Sequence, residues 1–233
     1  MLETIKKRLK HRLGVPSVTD SLILAQNNGF QPKVIFDIGA YQGTWTQEIS
    51  RIFPESKFFM FEAQSSKEEF LRNVCKLSNI NAEYHIGVLG AEHGKEVVFH
   101  EYETASSVHE EYNETGATKR VKSLEKLDKV VESRGWPQPD LIKLDTQGYE
   151  LEVLKGGCVA LKKAEFVLME VSLLEIYKGA PLLEDVILQM SNWGYQLYDI
   201  CSLMRRPLDK ALFQTDLLFI KKDSQFILNK HWA

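Results

Sequence analysis

Val34-Ile35-Phe36-Asp37-Ile38-Gly39-Ala40-Tyr41-Gln42-Gly43 is the stretch whose reading decides the fold of this 233-residue chain. Its opening apolar run is of the kind that buries both faces of a parallel strand. The run meets an acid, Asp37, and then two glycines, Gly39 and Gly43. Thr44–Phe53 follows with Trp45, Ile49, Ile52 and Phe53 on one helical face. Strand, glycine turn and helix form a βα unit, which brings backbone N–H groups and a helix N-terminus up to a ligand.

The chemistry of the turn argues against a dinucleotide. Backbone packing against a pyrophosphate needs three glycines as G-x-G-x-x-G, whereas Asp37 holds the first position and Tyr41 the place of close approach. An acid there repels phosphate and suits an ammonium or sulfonium. A second apolar run, Lys57-Phe58-Phe59-Met60-Phe61, ends on Glu62, 25 residues after Asp37. That is where an α/β nucleotide site sets a carboxylate on ribose hydroxyls. Asp-x-Gly also occurs as a plain turn and a strand-end Glu also faces water, but two acids at matched positions favour a cationic nucleoside. S-adenosylmethionine fits.

Length and composition bound the rest. The chain is long enough for one substantial α/β domain and short for two. It is 44% hydrophobic and 26% charged, with net charge −3. Without a basic stripe with interleaved aromatics, nucleic acid is not the expected partner. No apolar run approaches the ~20 residues of a membrane helix, so no stable membrane insertion is expected. Cys75, Cys158 and Cys201 lack C-x-x-C spacing, which argues for a reducing, cytoplasmic setting and against zinc, and the six His show no ligand pairing at helical spacing.

Residues 1–13 read as a basic amphipathic helix and 17–28 as a second, together an N-terminal helical cap over residues 1–30 ahead of a domain spanning 31–233. Beyond Glu62 the pattern gives a helix over 66–77, a strand over 83–88 and a short strand over 96–100. Residues 104–120 read as a lid or binding loop, since a long polar segment inside a compact domain is commonly functional. A helix is expected over 124–131, a strand and glycine turn over 140–149, and one helix over 150–161. A strand over 164–171, a helix over 182–192 and two final strands over 195–200 and 216–221 complete the chain. Alternating strands and helices imply a doubly wound, mostly parallel Rossmann-like α/β sheet, with the last two strands pairing as an antiparallel edge.

Ligands in such sheets bind beyond the carboxyl ends of the strands, where Asp37, Glu62, Asp145 and Glu170 all fall. Asp145 and Glu170 end neighbouring strands about 4.8 Å apart if those strands are adjacent. Such a pair could hold a metal, orient a hydroxyl with one acid as general base, or cap the helix that begins near Tyr149. His109, on the loop, is a further candidate base.

Four stretches resemble the FkbM-type methyltransferases of the class I S-adenosylmethionine-dependent fold: residues 34–43 with Trp45; Phe61-Glu62-Ala63; residues 141–156; and Leu168–Ser172 with Tyr177 and Pro181-Leu182. The resemblance runs from Val34 to the end and implies a seven-stranded sheet. It places the cofactor over Gly39, Ala40, Tyr41 and Gly43, with its methionine end near Asp37 and its ribose on Glu62 beside Ala63. The adenine would lie near Gly87-Val88. Members commonly methylate hydroxyls of sugars or polyketide-type natural products, so the expected acceptor is a glycan or small molecule. Thr146-Gln147 stands where many members carry Val-Glu. Acceptor contacts are expected from 104–120, 174–183 and Arg205-Arg206. A methyltransferase-fold binding protein without turnover is the alternative, with an NAD-dependent oxidoreductase further off.

Overall fold

The computed structural model describes residues 15–112, 116–229 and 231; the helix expected over 1–13 lies outside them. The first described helix is α1 (Val18–Asn27), whose N-cap Ser17 accepts a hydrogen bond from the Asp20 amide. In chain order come β1 (Val34–Ile38), α2 (Thr44–Ile49), β2 (Lys57–Glu62), α3 (Glu68–Cys75), β3 (Asn81–Ile86), β4 (Val88–Leu89), β5 (Glu96–Glu101) and β6 (Thr118–Glu125). Then follow α4 (Leu127–Arg134), β7 (Leu141–Leu144), α5 (Glu150–Gly156), α6 (Cys158–Lys163) and β8 (Phe166–Ser172). The last elements are α7 (Leu183–Asn192), β9 (Tyr195–Ile200), β10 (Met204–Arg205) and β11 (Leu212–Lys221).

The main sheet runs β3-β2-β1-β7-β8-β11, with β9 and the two-residue β10 both on β11. Neighbours from β3 to β8 are parallel, while β11 is antiparallel to β8 and to β9. This is the doubly wound α/β sheet with an antiparallel edge that the alternation implied, seven longer strands plus β10. Strand order reverses beside β1, which lies between β2 and β7. A crevice opens at such a switch point, because the connections leave toward opposite faces.

Both faces are covered, and the period of two in each strand distributes its residues between them. Phe36, Ile38, Phe59, Phe61, Ile142 and Leu144 join one core with Leu127, Val131 and Leu154. Ile35, Phe58, Met60 and Leu141 join the other with Leu22, Ile49, Leu71 and Val74. All five residues of β1 are buried. Each large apolar side chain so placed stabilises by about 1.5–3 kcal/mol.

Two expectations change. Residues 118–125 form β6 rather than loop and helix start, and β6 pairs with β5 and β4 in a second, three-stranded sheet. Most of β6 is exposed on both faces, so it carries no alternation to read; its partner's backbone makes it a strand. The helix expected over 150–161 breaks into α5 and α6 at Gly156-Gly157. A Cβ at Gly156 would lie 2.1 Å from the Gly90 carbonyl oxygen, so this crossing requires glycine.

Candidate active site

Beyond the ends of β1, β2 and β7 lies a cleft of about 280 Å³. Its wall includes Gly39, Ala40, Tyr41, Glu62, Ala63, Gly87, Val88 and Asp145, eight of the residues singled out from the sequence. The turn after β1 is pinned to β2, since the amides of Gly39 and Ala40 both donate to the Phe61 carbonyl at 3.0 Å. Tyr41 takes a left-handed backbone, φ +50°, and its amide donates to Glu62 Oε2 at 2.7 Å. Glu62 Oε1 accepts from the Gln64 amide at 2.8 Å. Burial raises the Glu62 pKa, with the Gln64 and Tyr41 amides and Lys143 pulling the other way. A carboxylate has about four lone-pair sites. The Tyr41, Gln64 and Ala63 amides take up three of them, so one stays open at the cleft wall.

The other candidates fall elsewhere. Asp37 does not reach the cleft. It is fully buried beneath it, accepting from Thr46 Oγ1 at 2.8 Å, with Lys143 Nζ 3.2 Å from its Oδ1. The reason is register: Asp37 lies opposite Lys143 across β1 and β7, so the protein supplies the cation expected from a ligand. Gly43 does not line the cleft either; a Cβ there would meet Val74, Met60 and Leu71 at 3.0–3.3 Å, so its glycine serves packing. Glu170 stands behind Gln147. His109 belongs to a second cavity of about 380 Å³, with His100, Glu110, Tyr112, Tyr177 and Lys178 among its wall residues. Its ring packs edge-on against Tyr149 at 5.5 Å, and burial lowers its pKa, which keeps it neutral. Arg206 is held by Asp209 at 2.8 and 2.6 Å, and neither Arg205 nor Arg206 lines either cavity.

Lys143 is the site residue that the sequence reading passed over, although a lysine inside Leu141-Ile142-Lys143-Leu144 signals a buried counterion. It is 7% exposed, donates to the Gly39 carbonyl at 2.9 Å and stands 3.6 Å from Asp145 Oδ2. Burial alone would lower its pKa, yet Asp37 and Asp145 outweigh burial and raise it. A permanent positive charge therefore lies under the turn. Gln147 donates to Asp145 Oδ1 at 2.7 Å and to Glu170 Oε2 at 2.9 Å, while Tyr177 OH donates to Gln147 Oε1 at 2.7 Å. Burial, then the charges of Asp145 and Asp216, push the Glu170 pKa up to about 9, so this carboxyl keeps its proton at neutral pH.

The loop after β5 crosses the cleft. Glu103 Oε2 accepts from Tyr41 OH at 2.6 Å and Lys67 Nζ at 3.0 Å, and the lysine lies 4.4 Å over the Tyr41 ring. Ser107 Oγ donates to the Gln147 carbonyl at 2.8 Å, fastening the loop to the other end of the cleft. The lid or binding loop expected over 104–120 thus has its inner end against the turn after β1, and its outer part gives way to β6.

The cleft leaves both acceptors and a donor open. Glu62 keeps an open acceptor site, the Trp45 indole N–H has no hydrogen-bond partner among the described residues, and the Asp145 side chain is 39% exposed. Among the described residues no three His, Cys, Asp or Glu side chains gather as metal ligands, and no helix is long and apolar enough to cross a membrane.

Comparison with known proteins bears on the same residues. The family model for the methyltransferase FkbM domain matches residues 37–197. Hexuronic acid methyltransferase AglP of Haloferax volcanii is 39% identical over 103 residues, 44% of this chain and 33% of AglP, so the match spans about a third of that relative. Magnesium protoporphyrin IX methyltransferase (ChlM) from Synechocystis PCC 6803, solved with its S-adenosylmethionine bound, aligns with TM-score 0.51 and 9% identity over 92% of this chain and 81% of that one. Fibrillarin of Aeropyrum pernix in complex with S-adenosyl-L-methionine aligns with TM-score 0.50 and 11% identity over 83% and 68%. At those identities the likeness shows the fold alone. With the family match reaching from Asp37 through the cleft, β7 and Tyr177, this chain belongs to the methyltransferase FkbM domain family.

Proposed function

We propose that this chain transfers a methyl group from S-adenosylmethionine to a hydroxyl of a sugar or glycan, with Asp145 receiving the hydroxyl proton. The single observation that carries the reading is Asp145 itself, a partly exposed carboxylate on the cofactor cleft wall with a second, polar cavity close by. Bound S-adenosylmethionine supplies an electrophilic methyl on a sulfonium that leaves as a neutral thioether. Glu62 would hold the ribose, the segment from Gly39 to Tyr41 the methionine end, and Gly87-Val88 the adenine. The acceptor oxygen forms the new C–O bond while its proton passes to Asp145. Lys143, 3.6 Å from Asp145 and 3.2 Å from Asp37, keeps both charges in place without entering the cleft chemistry.

A carbohydrate acceptor is supported by the name of the relative AglP and by the make-up of the second cavity, where His, Glu, Tyr and Lys side chains offer hydrogen bonds to hydroxyls. Tyr177 joins the two spaces, since it lines the second cavity and its hydroxyl reaches Gln147 in the first. The test is release of S-adenosylhomocysteine over a panel of sugars, uronic acids, nucleotide sugars and lipid-linked glycans. A glycan hydroxyl should turn over. Asp145→Ala should lower turnover by ~10²–10⁴, the usual share of a general base, while the cofactor Kd moves only a few-fold. Saturable cofactor binding with no product on any acceptor would instead favour a binding protein that has kept the fold.

A further inference from the structure

Gln147 follows Asp145 by two residues and adopts a left-handed backbone, φ +55°, that a glutamine takes at a cost of about 1–2 kcal/mol. Its backbone is held by Ser107 and its side chain by three partners, which together offset that cost. An amide has one oxygen to accept and two N–H groups to donate. Tyr177 takes the oxygen. The two hydrogens go one each to Asp145 and Glu170. Turning the amide over would set its oxygen against the Asp145 carboxylate, so the acids decide which way it faces, and the Tyr177 hydroxyl, which can rotate, donates to the oxygen on the far side.

The strands make this bridge possible. Leu144 pairs with Met169, so the next residues, Asp145 and Glu170, stand side by side. Two acids at one strand spacing resist ionising together. Glu170 Oε2 also accepts from Gln214 Nε2 at 3.0 Å, which anchors it to β11. The charged and titratable groups around Asp145 are Lys143 on its own strand, Glu170 on β8, Asp216 on β11, Glu150 on α5 and Tyr177 on the loop before α7.

We propose that Gln147 is the positioning residue of the site: braced by Tyr177, its amide clamps Asp145 Oδ1 and ties it through Glu170 to the sheet, leaving Oδ2, with Lys143 Nζ 3.6 Å away, to receive the acceptor's proton. The inference rests on the reading of Asp145 as proton acceptor. Glutamate here would put three carboxyls in one place. Glutamine keeps a single negative charge aimed at the cleft.

The test compares the full chain with Gln147→Leu and Tyr177→Phe, each first shown folded by circular dichroism and thermal melting. Titration of the Asp145 carboxyl carbon, followed by NMR in protein saturated with S-adenosylhomocysteine, reads the clamp without any acceptor. Losing an N–H donor to the charged form should move that titration up by about one pH unit in Gln147→Leu, and by less in Tyr177→Phe. On the acceptor found above, kcat should fall roughly ten-fold with KM for the cofactor unchanged, and the ascending limb of the pH profile should shift by the same amount. An unmoved titration in both folded variants overturns the clamp, even if the wild type methylates a glycan. A moved titration with no methyl transfer by the wild type retains the clamp and overturns the reading of Asp145 instead. Should Gln147→Leu fail to fold, Tyr177→Phe decides alone.

Discussion

Lys143 sits in mid-strand with apolar neighbours on both sides, and its ammonium is 3.2 Å from an aspartate that is 0% exposed. A buried ion pair adds little over apolar packing, but removing one partner strands the other charge at a cost of about 3–5 kcal/mol. Lys143→Met should therefore destabilise the fold by about that amount in urea unfolding. Lys143→Met combined with Asp37→Asn should lose clearly less than the sum of the two single changes. Additive losses would mean that the two side chains do not share one interaction. Both residues could be seen in the sequence as charges inside apolar runs. Their pairing could not, because it depends on β1 and β7 lying side by side across more than a hundred intervening residues.

Between β1 and β2 the turn residues divide their work in a way that spacing alone conceals. Gly39, φ +76°, would bring a Cβ to 1.9 Å from the Asp145 carbonyl oxygen, so it lets two strand ends meet beside the cleft. Gly94 shares a positive φ, +84°, but a Cβ there would meet nothing within 4 Å. Gly94→Ala should cost only about 1–2 kcal/mol from backbone strain, whereas Gly39→Ala should also abolish saturable S-adenosylmethionine binding by calorimetry. Equal effects of the two changes would remove the close approach as the reason. The crossing loop gives a kinetic counterpart. Glu103→Ala removes the acceptor that Tyr41 and Lys67 share, so cofactor release in stopped flow should quicken by a few-fold, the scale of an exposed ion pair. An unchanged release rate would show that the latch does not hold the cofactor.

Over the whole molecule the buried acids set the pH dependence of stability. Glu170 titrates near 9 when folded against an ordinary value of 4.5, and burial likewise lifts Glu150 to about 7. Between those limits the folded state binds more protons than the unfolded one. By linkage, stability falls as pH rises from 4.5, through 7 for Glu150 and through 9 for Glu170. An amide at 170 cannot ionise, so the urea midpoint of Glu170→Gln should fall less than the wild-type midpoint across this range. Parallel curves would show that Glu170 is not proton-bound in the fold.

The chain by itself determined the sheet and most of the residues that line the cleft, because apolar runs, turn glycines and strand-end acids are local patterns that read in short windows. Glu62, Asp145 and the segment from Gly39 to Tyr41 were legible on those grounds, as was the antiparallel edge. Tertiary structure alone decided the partners: Lys143 for Asp37, Gln147 for Asp145 and Glu170, Glu103 for Tyr41. It also made a strand of residues 118–125, whose exposed side chains carry no period, and moved His109 to the second cavity. Hydrogen bonds and ion pairs between distant segments leave no spacing in the sequence, since their geometry exists only once strand register has been set.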